Sequence, residues 1–129
     1  MAVTKTSISA GEIISKVLLD DHRVSAITKK VYPVVTDEAK LPYIVYRRTQ
    51  LEQNPIKVGR GADTVGIEVV CYADGYGPSI ELAEAVRAAL DGCQAEVDGL
   101  SLRSCYLTDS EEAWQDDAYI QQLVFTIIL

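Results

Sequence analysis

The sequence predicts an α+β fold, with a mainly antiparallel sheet and two main helices packed on one of its faces. Two segments, residues 10–19 and 75–92, carry apolar side chains at helical spacing. The segments between and after them are rich in β-branched and aromatic residues, which favour strands. Only one pair of successive strands spans a helix, so a doubly wound parallel sheet is not expected.

The first helix is predicted over Ala10 to Leu19. Ser9 and Glu12 have the spacing of a capping box, in which each side chain satisfies the backbone N–H of the other at a helix start. Behind them an apolar stripe recurs at helical spacing, formed by Ile13, Ile14, Val17 and Leu18. The Asp20–Asp21 pair then offers a cap for a short second helical segment that ends near Lys30.

Strands are predicted from residue 31 onward, where the apolar period changes. Pro33 and Pro42 lack the N–H that a central strand needs, so they belong at a strand entrance or on a sheet edge. Residues 41–53 and 63–74 are predicted to form a hairpin. The segment NPIKVGRGAD between them has turn residues at both ends, and it predicts a loop that projects from the sheet as a flap.

The second main helix is the strongest helical pattern in the chain. Pro78 suits the first turn and Gly92 the position just past the end. The predicted buried stripe consists of Ile80, Ala83, Val86 and Leu90. After it, residues 95–107 and 118–129 are predicted as strands, and the acidic stretch TDSEEAWQDD as the connection between them.

Length and composition indicate one soluble domain over residues 1–129. The 48% hydrophobic and 24% charged residues argue against disorder and against a disulfide scaffold. The longest apolar run, residues 123–129, is far shorter than the roughly 20 residues that cross a bilayer. The N-terminus has no secretion signal pattern, so we expect the protein to stay in the cytoplasm without membrane contact.

Charge is divided unevenly along the chain. Residues 1–60 have a balance of +4, and residues 61–129 have a balance of −11, within a total of −7. Such a protein is a poor candidate for binding nucleic acid over its whole surface, because phosphate binding needs an excess of cations. It is a better candidate for contacting copies of itself, provided that the fold places the two halves on different faces.

No residue pattern predicts a catalytic, metal or cofactor site. His22 is the only histidine and lies in a predicted cap region, which excludes a histidine metal cluster. The acid pairs Glu111–Glu112 and Asp116–Asp117 favour a solvated loop over a calcium site, because residues 108–118 contain no glycine for the bend. The three widely spaced cysteines favour reduced thiols. We therefore expect no enzyme and no cofactor.

Two further features, the basic residues of the flap and the single tryptophan, each allow two interpretations. Lys57 and Arg60 lie in the predicted flap, where they either reach a neighbouring acidic surface or are merely exposed. Trp114 is the only tryptophan and lies among acids. It either folds back as a lid on the core of its own domain or anchors an interface, since aromatic residues within a charged rim are typical of binding hot spots.

Three segments together resemble the small tailed-phage proteins known as tail completion, tail terminator or head-tail joining proteins. They are LPYIVY, then IEVVCYAD with its proline-capped helix, and finally DSEEAWQDDAYIQQLVFTIIL. The resemblance covers roughly residues 10–129. It implies an α+β domain that forms an oligomeric ring, commonly hexameric, on the last ring of the tail tube. There the ring stops tube polymerisation and presents a surface to the head connector.

The resemblance implies a virion location in the tail or neck, and partners that include the tube protein, head connector or neck proteins and other copies of the chain. DNA would only pass through the ring lumen. We expect a basic face to meet an acidic one on the next copy. The basic residues are Arg47, Arg48, Lys57 and Arg60; the acidic residues, with Trp114 among them, are Glu111, Glu112, Asp116 and Asp117. A minor tail or neck protein is the near alternative, and a cation-dependent enzyme a more distant one.

Overall fold

The computed structural model describes residues 5–34, 40–53 and 63–129. A short 3-10 turn, Ser7–Ser9, leads into the first helix. The helices are α1 (Ala10–Asp20), α2 (His22–Ile27) and α3 (Tyr76–Leu90). The strands are β1 (Val31–Pro33), β2 (Tyr43–Gln53), β3 (Asp63–Ala73), β4 (Ala95–Val97), β5 (Leu100–Leu102), β6 (Ser104–Gln115) and β7 (Ala118–Ile128).

Five strands form one sheet in the order β1-β2-β3-β7-β6. Only β1 and β2 run parallel, while the other three neighbouring pairs are antiparallel. The β4 and β5 strands form a separate small hairpin. The predicted α+β class and the mainly antiparallel sheet are therefore confirmed.

The core lies between one face of the sheet and the helices. Alternate residues of β7, including Leu123, Phe125 and Ile127, are almost completely buried on this face. Ile13 of α1 and Leu82 of α3 are fully buried against the same cluster. The alternating apolar side chains of β7 thus pack against the apolar stripes of the helices, as the sequence predicted. We call this side of the sheet the helical face, and the other side the open face.

The predicted capping box is wrong, whereas the Asp21 cap is confirmed. Ser9 makes no side-chain capping bond, because the turn before α1 puts its backbone at φ −87°, ψ 13°, outside the extended conformation of an N-cap. Glu12 instead forms an ion pair with Lys5. The Asp21 carboxylate accepts hydrogen bonds from the backbone N–H groups of Arg23 at 2.9 Å and Val24 at 3.1 Å. His22 is exposed at this cap, as predicted.

The ends of the second main helix are confirmed, but its buried stripe is rotated from the predicted one. Pro78 lies in the first turn and Gly92 just past the end with φ +79°, a conformation that favours glycine. The fully or nearly buried residues are Ser79, Leu82, Ala85, Val86 and Leu90, whereas Ile80 and Ala83 are only half-buried. Ser79 tolerates burial because its hydroxyl donates to the Tyr76 carbonyl at 2.7 Å.

The largest error of the sequence prediction concerns residues 108–117. Most of this acidic stretch is strand, since β6 continues to Gln115 and pairs with β7 along its whole length. Only Asp116 and Asp117 turn, with φ of 52° and 63°. Two successive positive φ angles suit a two-residue hairpin, and Asp is among the residues that tolerate them. An edge strand accommodates many charges because they project into water.

Two smaller differences concern the neighbouring strands. Residues 95–107 are not one strand, because Asp98 and Gly99 turn the chain between β4 and β5. The predicted flap lies outside the described residues, together with Lys57 and Arg60, although the ladder on either side of it is paired as far as Gln53 and Asp63. No helix in the three described ranges is long and apolar enough to span a membrane.

Candidate subunit interface

The two edges of the sheet differ in how they are built. β1 covers β2 only at residues 44–46, so residues 47–53 form an edge within the described chain. β6 is the opposite edge and, among the described strands, pairs with β7 alone. β3 and β7 lie between them, so the edges are three strand spacings apart, about 14 Å. We call these the β2 edge (residues 47–53) and the β6 edge (residues 104–117).

The β2 edge carries the described basic site residues. Arg47 lies on the open face and forms an ion pair with Glu68 at 3.2 Å. Arg48 pairs in register with buried Ile67, so it lies on the helical face. It is exposed and forms no ion pair within residues 5–34, 40–53 and 63–129. Arg48 is thus the cation of this edge that is more available to a partner.

The β6 edge carries the acidic site residues and no lysine or arginine. Glu111 is exposed on the open face, in register with Gln122 and Val70. Glu112 projects to the helical face, where its carboxylate accepts from the Tyr76 hydroxyl at 3.0 Å and from Gln121 Nε2 at 3.1 Å. The hydrogen bond that the Tyr76 hydroxyl donates to Glu112 raises the pKa of the Tyr76 phenol. Glu112 therefore also ties β6 to the start of α3.

The single tryptophan is not a lid on its own core. Trp114 lies in register with Tyr119 and Ala73 on the helical face, yet 59% of it is exposed. The lid alternative is therefore wrong. The acidic turn Asp116–Asp117 follows it and is also exposed. An exposed indole flanked by carboxylates has the composition of a binding anchor.

A groove beside the β2 edge was not predicted. It has a volume of about 460 Å³ and lies between the start of α1 and the end of β1. Its lining includes Ile8, Gly11, Val34, Tyr46 and Arg48. Ile8 and Val34 are 69% and 65% exposed. The apolar pattern of the sequence does not indicate this groove. Ile8 precedes the apolar stripe of α1, and Val34 lies just after the end of β1 at Pro33, whereas the sequence predicts it within a strand.

The open face carries an aromatic cluster that the sequence analysis also missed. Tyr43 and Tyr72 lie opposite each other in register, and their rings stack with centroids 4.6 Å apart. Tyr32 packs beside Tyr43 at 6.4 Å. Burial raises the pKa of the Tyr43 and Tyr72 phenols. These side chains hold the β1, β2 and β3 strands together on the side without helices.

The cysteines are free thiols, as predicted. Cys71 is buried in the core, and its burial raises the pKa of the thiol. Cys93 and Cys105 share a hydrogen bond, which lowers the pKa of Cys93 and raises that of Cys105. In the part of the chain that the structure describes, no group of three His, Cys, Asp or Glu side chains is arranged to hold a metal ion.

Comparison with known proteins identifies the family. Residues 12–128 match the family model described as "Tail completion protein gp17". The chain belongs to the tail completion protein family. The resemblance noted from the sequence is confirmed, and the match extends through both edges of the sheet, from α1 to the last residue of β7. No curated protein matches the sequence significantly.

The fold of this tail completion protein also occurs in a solved phage-like particle. One chain of the "Virion of native gene transfer agent (GTA) particle" superimposes with a TM-score of 0.81. The match covers 96% of this chain and 98% of that chain, at 17% sequence identity. At this identity the likeness shows the fold alone. Family membership makes the protein a structural component of a phage-type tail.

Proposed function

We propose that this tail completion protein caps the tail tube as a closed ring, stops tube polymerisation and joins the tail to the head. Six copies is the number that the family resemblance implies. In this proposal the chain has no catalytic role and uses no cofactor. Its partners are its own copies, the tube protein and a head connector or neck protein, while DNA only passes through the lumen.

One observation supports the ring most strongly: the two edges of one sheet differ in charge, since the β2 edge carries two arginines and Glu52, whereas the β6 edge carries five acids and no lysine or arginine. Arg48 extends from the β2 edge, whereas Glu111 and the Asp116–Asp117 turn extend from the β6 edge. A surface that meets a different surface of the next copy makes a heterologous contact, and repetition of that contact closes a ring when the rotation permits. The division of charge along the sequence thus becomes a division between two edges.

The opposite charges also explain how neighbouring copies would find the correct orientation. An acidic edge repels another acidic edge and attracts a basic one, so the contact selects a head-to-tail arrangement. In the predicted flap, Lys57 and Arg60 would extend the basic surface. An acidic ring lumen that lets DNA slide is a second use of the same charges, favoured by the absence of lysine and arginine from β6.

The test is to locate the protein on tail tubes assembled from the tube protein of the same genome. Gold-labelled protein is mixed with growing tubes, and both label position and tube length are measured by electron microscopy. We expect label at one tip and arrested growth there. Label along the tube sides, or tubes that grow past the label, would contradict capping and favour a minor tail or neck protein elsewhere in the particle.

A further inference from the structure

The groove beside the β2 edge combines apolar residues with the charged residues Glu12, Arg47 and Arg48. Ile8 and Val34 flank it and are mostly exposed. Single exposed aliphatic residues are ordinary, but two beside one cavity are typical of a contact site. Gly11 forms part of the lining, and a Cβ at this position would come within 3.1 Å of the Tyr46 ring. Glycine thus lets the helix approach the tyrosine at the base of the groove.

The opposite edge presents a side chain that suits such a groove. Trp114 is 59% exposed, and an indole contributes roughly 150–250 Å² of buried surface at an interface. It lies on the helical face of the sheet, as does Arg48 at the rim of the groove. Projection and groove therefore lie on the same side of the molecule but at opposite edges, which prevents Trp114 from filling the groove of its own copy.

The charges around the two features are complementary. Trp114 stands beside Glu112 and the Asp116–Asp117 turn. Three charged residues line the groove: Glu12 is paired with Lys5, Arg47 is paired with Glu68, and Arg48 lacks an ion pair with any described residue, which leaves an unpaired positive charge at the groove. An arginine also stacks well on an indole face. An acidic partner would oppose the carboxylates of the β6 edge, and a basic one would oppose Arg48. The surface that satisfies both edges at once is a second copy of the same chain.

We propose that Trp114 of each copy inserts into the groove of the next copy, between Ile8 and Val34. The inference rests on the proposed ring and specifies how that ring is held together: an aromatic anchor at the centre of the contact, surrounded by opposite charges. Each copy contributes one tryptophan and one groove, so the contact is heterologous and every anchor in a closed ring is occupied.

The experiment places a photoreactive aromatic residue at the anchor. Trp114 is replaced by p-benzoylphenylalanine, which keeps a large aromatic side chain, and the protein is illuminated on tail tubes. A mixture of isotopically light and heavy protein distinguishes crosslinks within a copy from those between copies. The matched control carries the same residue at Tyr106, which is exposed on the open face of the same strand.

We expect crosslinks from position 114 to the peptides containing Ile8 and Val34 of another copy, and none to these peptides from position 106. Crosslinks from 114 only to the tube protein or to another surface, on tubes that are capped normally, would overturn the groove contact and leave the capping function intact. Absence of tip binding by the unmodified protein would overturn the groove contact and the proposed function together.

A substitution in the groove provides a second test. Its position is exposed, so the change should not disturb folding. Ile8→Glu places a carboxylate where the acidic edge of the neighbour docks, and we expect it to reduce the crosslink yield from position 114 at least tenfold. Leu19→Glu is the matched control, because Leu19 is an exposed leucine on the adjacent helix and does not line the groove. Equal yields from the two variants would contradict the proposal.

Discussion

The two edges of the sheet are both exposed strands, but they differ in charge and in the shape of the surface beside them. The β6 edge is a long strand protected by charge, with a register shift between Leu107 and Asp109 and with Glu111 and Glu112 projecting from opposite faces. The β2 edge carries two arginines, a register shift between Arg48 and Gln50, and a groove at its side. Edge strands invite pairing, and charges and irregularities prevent the wrong pairing. Both edges therefore carry features that limit pairing with another strand, and in the proposed ring the acidic β6 edge meets the β2 edge of the next copy.

Removal of the aromatic anchor should have the largest effect. Trp114→Ala is expected to weaken tip binding roughly 30- to 1,000-fold, the range of a loss of about 2–4 kcal/mol at a binding hot spot. The domain itself should keep its stability, because most of the side chain is exposed. Titration of labelled protein onto tubes measures the first quantity, and thermal unfolding measures the second. Tyr106→Ala, a change on the open face of the same strand, should lose much less binding than Trp114→Ala; equal loss in both variants would contradict the anchor.

Charge reversal should have the next largest effect. Arg48→Glu and Glu111→Lys should each weaken assembly about tenfold at low salt, because each change reduces the charge difference between the β2 edge and the β6 edge. A mixture of the two variants should recover, since copies that alternate around a ring with an even number of subunits restore opposite charges. Assembly is measured by light scattering and electron microscopy. Failure of the mixture to exceed either single variant would contradict the pairing of these two edges.

Ionic strength should have a smaller effect on the unmodified protein. Raising salt from about 0.05 M to 0.5 M is expected to weaken tip binding several-fold, because exposed charges are screened over a shorter distance. Arg48→Gln should show a shallower dependence on salt. If the salt dependence of tip binding were the same in Arg48→Gln as in the unmodified protein, Arg48 would not contribute to the electrostatic attraction between copies.

A change remote from both edges should affect folding but not assembly. Asp21→Ala removes the cap of α2 and should lower the free energy of unfolding by about 1 kcal/mol, while tip binding stays unchanged. Ser9→Ala is the matched control and should leave stability unaltered, because Ser9 forms no capping bond. Denaturant unfolding at neutral pH measures both; equal destabilisation by the two variants would contradict the revised assignment of caps.

The same cap predicts a response to acid. Partial burial acts to raise the pKa of Asp21, but the hydrogen bonds from Val24 and Arg23 outweigh it and the net pKa is lowered. A carboxylate with a lowered pKa stabilises the fold above its ordinary pKa near 3.8, and this stabilisation is lost as the pH falls through the lowered value. The stability difference between Asp21→Ala and the unmodified protein should therefore shrink in that acidic range.

Local patterns predicted the elements of the fold better than they predicted the interface. Apolar residues at helical spacing predicted α1 and α3, and alternating apolar residues predicted β7. These patterns are informative because an element with one buried face repeats apolar residues at its own structural period. Acidic composition was interpreted as a loop at residues 108–117, although pairing with β7 makes most of it a strand. Strand pairing depends on partners elsewhere in the chain, and composition at one position carries no record of them.

The groove shows a second reason why sequence reasoning was incomplete. Its lining comes from the first helical turns, the end of β1 and the middle of β2, which are brought together by the parallel pairing of β1 with β2 and by the packing of α1 on Tyr46. Trp114, by contrast, was identifiable from the sequence because a lone tryptophan among acids is unusual. The projecting residue of the proposed contact was therefore recognisable in the sequence, whereas the groove was recognisable only in the fold.

The most direct measurement is the structure of capped tail-tube tips by electron cryo-microscopy. We predict a closed ring in which the β6 edge of every copy faces the β2 edge of the next, with the Trp114 side chain buried between two copies. A ring in which copies meet through their open faces, or in which Trp114 remains exposed to solvent or contacts only the tube protein, would contradict the central claim.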